Sequence, residues 1–130
     1  MIIESYYRNK ISNSEYKLPA PYYKAVELGL TNLDGWQFIL KENVFGSLFD
    51  TIYEFNKPFI FLPFARRLDN DDVACFGISY LNFPVNCVAV VHLYVKPDFN
   101  SNYPTRKKPD FDTFWDWFRD AIEEVIERYP

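Results

Sequence analysis

Apolar residues recur along this chain with two different periods, and the change of period divides it into helical and extended stretches. In LPAPYYKAVELG, Tyr22, Ala25 and Val26 fall on one helical face, Pro21 suits a first turn, and Gly29 is placed for a left-handed stop. A short helix is predicted there. The stretch before it is assigned no element, and Leu33 to Leu40, around Trp36, fits either a strand or a turn. From Val44, the positions Phe45, Leu48, Phe49, Ile52 and Tyr53 continue at helical spacing, with Asn43 as a candidate cap and Lys57-Pro58 as the stop.

Past Pro58 the period shortens. Phe59 to Phe64, Val73 to Ser79 and Cys87 to Val95 are short runs dense in β-branched and aromatic residues, which predict buried strands. Their short connections favour an antiparallel meander. Pro63 has no amide donor, so the first strand is expected to end there, kink there, or lie at an edge. After a proline-bearing loop, residues 96–110, an apolar stripe of Phe111, Phe114, Trp115, Phe118, Ile122, Val125, Ile126 and Tyr129 opposes Asp112, Asp116, Asp120, Glu123 and Glu127. This predicts an amphipathic helix on the sheet, capped by Asp110 or Asp112, with ion pairs Arg119–Glu123 and Glu124–Arg128. The fold class is therefore α+β: one domain over residues 1–130, a mainly antiparallel sheet flanked by helices.

Composition agrees with a folded domain, since 48% of the residues are apolar and 20% aromatic, ample to offset the entropy of ordering. No export signal or membrane span is apparent, and a cytoplasmic setting is expected. Cys75 and Cys87 lack CxxC spacing and read as reduced, buried thiols that could approach each other across a hairpin. The charge is unevenly placed. From Asp110 onward seven carboxylates face two arginines, whereas the preceding residues carry eleven acids and twelve bases. Acids in the last turns of a helix oppose its dipole, an arrangement against local stability that invites a functional explanation.

FLPFARRLDNDDVACF sets an apolar run beside Arg66, Arg67, Asp69, Asp71 and Asp72. A calcium loop starting at Asp69 would need an oxygen ligand, a glycine and a glutamate where Val73, Ala74 and Tyr80 stand. The bland alternative is a strand connection, where Asn70 and Asp71 bond their own backbone; the other is a partner contact. His92, the single histidine, lies in an apolar strand beside Val90 and Tyr94 and reads as a core or inter-strand residue rather than a general base. No nucleophile elbow, zinc motif, phosphate loop or dinucleotide fingerprint is present, so no catalytic, cofactor or metal residues are assigned. The basic group Lys96, Arg106, Lys107 and Lys108 reads as a solvated loop beside acids that would repel a phosphate backbone. Trp117 sits at the border of the apolar stripe: either a core edge or an interface anchor.

LPFARRLDNDDVACF, with Leu18-Pro19 upstream, the segment LDGWQFI and the closing FDTFWDWF helix, resembles the SUKH superfamily, which includes the cell-wall-assembly-regulator-like proteins. Pro63, Phe64 and Ala65 match its corner, Asp69 to Asp72 its acidic turn, Val73 to Phe76 its next strand, and Phe111, Phe114 and Phe118 its closing helix. The glycine that often follows its first helix in an NG pair is present here only as Gly29. The resemblance implies a single α+β domain and a non-enzymatic immunity protein that neutralises a cognate polymorphic toxin, often a nuclease with a basic cleft. It implies no cofactor, nucleic acid, membrane or small-molecule substrate. Under it, Asp116, Asp120, Glu123 and Glu127, with Trp117 and the turn from Asp69 to Asp72 flanked by Arg66 and Arg67, become the toxin-facing surface. An intracellular recruiting module of the same fold is the alternative; a small carboxylate-dependent hydrolase is a third.

Overall fold

The computed structural model describes residues 4–94 and 108–128, in the order α1 (Glu4–Lys10), α2 (Ala20–Glu27), β1 (Trp36–Phe38), α3 (Glu42–Asn56), β2 (Ile60–Arg67), β3 (Asp72–Ser79), β4 (Cys87–His92) and α4 (Phe114–Arg128). The four strands form one antiparallel sheet in sequence order, and the α+β class and the meander follow the sequence pattern. Strand and helix positions expected at Val95 and Tyr129 lie outside the described residues, as do Lys96, Arg106 and Lys107 of the basic group.

α2 ends as its glycine demands. Gly29 has φ +74°, its N–H bonds the carbonyl of Val26, and the N–H of Leu30 bonds that of Ala25, the paired closure of a Schellman stop. α3 begins at Lys41 with no side-chain cap, so Asn43 lies inside the first turn rather than at its border. Lys57-Pro58 does close the helix. β2 runs through Pro63 to Arg67 as an inner strand, and a register irregularity between Pro63 and Ala65 absorbs the missing donor.

Both faces of the sheet are covered, which explains the near-continuous burial of β2 from Phe61 to Ala65 and of β3 from Val73 to Gly77. α2 and α4 close one face. There Tyr22 packs against Phe38, Phe64, Phe76 and Phe114, and Trp117 sits edge-on to Trp36 and Phe64 at 5.4 and 4.9 Å. Such ring pairs contribute about 0.5–1.5 kcal/mol each beyond their buried area. α3 lies against the side of the sheet that carries Gln37 and Arg66, and α1 packs on it through Tyr7 and Phe45, ring centres 4.4 Å apart. Burial pushes the Tyr7 hydroxyl well above its ordinary range, and the Tyr22 hydroxyl adds to the effect.

Several outward-facing backbone groups of the outer strands are occupied. On β1, Leu33 N–H bonds the Trp36 carbonyl and Phe38 N–H bonds that of Thr31. On β4, Val88 and Phe111 exchange both backbone bonds at 2.9 and 3.1 Å, and Val90 N–H is taken by the Asp110 carboxylate at 2.8 Å. Asp110 therefore plugs a sheet edge instead of capping α4. The cap is Thr113, whose hydroxyl accepts from Asp116 N–H at 3.2 Å and donates back to the Asp116 carboxylate at 3.0 Å. Cys75 and Cys87 are free and buried, offset in register, with Cys75 opposite Ala89 and Cys87 opposite Gly77. Among the described residues no helix is long and apolar enough to cross a membrane.

Candidate functional site

Strand alternation places Arg67, the last residue of β2, on the same face as its cross-strand partner Trp36. Its guanidinium carbon lies 5.2 Å from the centre of the Trp36 ring. Nε and Nη2 donate to the two Asp69 carboxylate oxygens, each at 2.9 Å, while Nη1 donates to both oxygens of Glu124 on α4 at 2.8 Å. All three nitrogens are thus engaged, and the side chain is only 11% exposed. Glu124 also receives Arg128 at 3.3 Å, which reaches Asp34 at 3.7 Å. A chain of alternating charges therefore ties the β1 approach, the end of β2 and the second half of α4. Its hydrogen bonds hold the Asp69 carboxyl below the ordinary carboxylate range and the Arg67 guanidinium above its own ordinary value.

The acidic turn has a split structure. Asn70 Oδ1 accepts from Asp72 N–H at 2.7 Å, the self-bonded turn that these residue types favour. Asp72 meets His92 across the β3–β4 pair, so His92 is an inter-strand residue on the exposed surface, not a core one. Asp71 gives its carbonyl to Leu93 N–H, and its carboxylate makes no bond among the described residues. Arg66 likewise stands exposed. Arg66, Arg67, Asp69 and Asp71 line one open depression of about 490 Å³ with Gln37, Leu68 and Asn70. Among the described residues no cluster of His, Cys, Asp and Glu has the arrangement of a metal site.

On α4 the buried face is Phe114, Trp117, Phe118 and Ala121. That stripe is rotated from the expected one, turning Trp117 inward and Trp115 and Ile126 outward. Trp117 is 1% exposed, ringed by Trp36, Phe38, Phe64 and Phe114, so it is a core residue and cannot touch a partner. Arg67 is also largely withdrawn from the partner surface, because each of its nitrogens is engaged internally and its side chain is mostly buried. Trp115 and Ile126, expected in the core, are 52% and 64% exposed. Arg119 pairs with Asp116 at 3.6 Å rather than with Glu123.

Asp120, Glu123 and Glu127 are exposed on the outer face of α4 and make no ion pair among the described residues. Asp116, Asp120 and Glu123 meet Phe111 and Arg119 around a second open depression, of about 380 Å³. The sequence expectation thus resolves into two acidic patches, one on the turn and one on the helix, joined by the Arg67–Glu124 pair. For Glu124 the sequence predicts the pair with Arg128, which forms; its bonds to Arg67 depend on a distance in space that spacing along the chain does not reveal. Comparison with protein-family models, curated proteins and solved structures gives no match for this chain.

Proposed function

We propose that this protein is a non-enzymatic immunity protein, which binds a cognate polymorphic toxin stoichiometrically and blocks it. The SUKH-like motifs from Leu18 onward motivate the reading. The observation that carries it is the outer face of α4, where Asp120, Glu123 and Glu127 stand exposed, with no ion pair among the described residues, on a helix pinned to the sheet by Arg67 and Glu124. A fixed negative surface pays little ordering entropy on docking and steers a positively charged partner into contact. A nuclease toxin with a basic substrate cleft suits it. The acids that converge do so in open, solvent-washed depressions, a setting for electrostatic recognition rather than for carboxylates that need a dry pocket to exchange protons.

The test is co-expression with the product of a neighbouring toxin-like gene. Growth rescue and co-purification as a stoichiometric complex are the expected results, and joint neutralisation of Asp120, Glu123 and Glu127 to their amides should slow association and flatten its salt dependence. A folded protein that neither rescues nor co-purifies would overturn the proposal and favour the recruiting-module alternative.

A further inference from the structure

α4 is amphipathic twice. Its inner stripe is consumed by the core, yet Trp115, Ile122 and Ile126 fall within a narrow sector of the outer half, at seven- and four-residue spacing. Trp115 and Ile126 are mostly in solvent, while Ile122 is half-buried against the core and anchors the row. The Trp115 ring is braced edge-on against Phe118, with centroids 6.3 Å apart, so it is presented in a defined pose. Beside this row lie the exposed Asp120, Glu123 and Glu127, which make no ion pair among the described residues.

We infer that the Trp115–Ile122–Ile126 flank of α4 is the docking surface for a protein that offers an apolar pocket rimmed by lysine and arginine. Charge complementarity selects that occupant. A second copy of this chain would set Asp120, Glu123 and Glu127 against their own like charges, and a phosphate backbone or an anionic bilayer would be repelled in the same way. A large aromatic half in solvent, braced from behind and rimmed by charge, has the composition of an interface anchor. The inference deepens the proposed function by naming the contact surface, and it rests on that reading only for the identity of the partner.

Two measurements separate the two ideas. Helical peptides selected from a displayed random library on the intact protein should be enriched in aliphatic or aromatic residues together with Lys and Arg, and should lose about 30-fold in affinity for Trp115→Ala or Ile126→Ala. No enrichment, enrichment of acidic peptides, or equal binding to both variants overturns the surface assignment. In the growth assay, rescue by the wild type that fails with Trp115→Ala supports it, and equal rescue by a folded Trp115→Ala protein overturns it while leaving the immunity reading intact. Absence of both rescue and co-purification by the wild type defeats the immunity reading alone, and the peptide result then decides the surface. A concentration-dependent dimer in sedimentation that Trp115→Ala abolishes would show that the flank serves a second copy, contrary to the inference.

Discussion

Arg67 and Glu124 stand 57 positions apart in sequence, yet one arginine nitrogen lies 2.8 Å from each oxygen of the glutamate. The pair fastens the end of an inner strand to the second half of the last helix, and Asp69 and Trp36 hold the same guanidinium from its other sides. Removing the arginine leaves Asp69 and Glu124 side by side with Arg128 as their remaining counter-charge. Arg67→Ala should therefore lower the unfolding free energy by about 2–3 kcal/mol. Arg67→Lys, which keeps the charge and loses the fork, should recover less than half of that in urea denaturation.

The same node sets an acid limit. Hydrogen bonding to Arg67 depresses the Asp69 carboxyl in the folded state, so its contribution is complete above the unfolded carboxylate value, about 3.9. It is lost as pH falls through the lower folded value. The stability of the wild type should thus decline more steeply below about pH 4 than that of Asp69→Asn, and converge on it at the acid end. Parallel pH profiles from thermal unfolding would contradict this.

The two tryptophans of the last helix should respond oppositely to truncation. Trp117→Ala empties a core site and is expected to cost about 3–5 kcal/mol, whereas Trp115→Ala should cost under about 1 kcal/mol. Quenching gives an independent check. Trp36 and Trp117 are buried, so Trp115 alone should meet a solute quencher, and caesium should quench it more effectively than iodide at low salt because of the neighbouring acids.

Gly77 is required by a close approach. A Cβ there would lie 2.8 Å from the Cys87 sulfur and 3.3 Å from the Tyr80 Cβ, so Gly77→Ala should destabilise by about 1–3 kcal/mol through overpacking. The two thiols themselves should be inert. Burial pushes Cys87 up to about 11 and Cys75 well above its ordinary value, so alkylation at pH 8 should proceed only as fast as the protein opens.

The last three strands and the last helix could be read from the sequence because their periods are local, whereas β1, three residues long, fitted a strand or a turn equally: burial on both faces made β2 and β3 continuous apolar runs, and α4 has a strong two-sided pattern. What failed depended on phase or on distance. A helix carrying Trp115 and Trp117 together has two plausible inner faces, and the choice is made by Trp36 and Phe64, which fill the space that Trp117 enters. The Thr113 cap was hidden among neighbouring aspartates, one of which was drawn away to the Val90 N–H on β4. The candidate surface followed the same rule: the turn and helix acids were visible as residue types, while their link through Glu124 required the folded chain.

The occupied rungs on β1 and β4 restrict how this protein can be recognised. Strand addition, in which a visitor extends the sheet through main-chain bonds indifferent to side-chain identity, finds those donors and acceptors already taken by Thr31, Leu33, Asp110 and Phe111. At those rungs recognition is left to side chains. Specificity can then drift one residue at a time over an unchanged scaffold, which is what coevolution with a changing adversary would need.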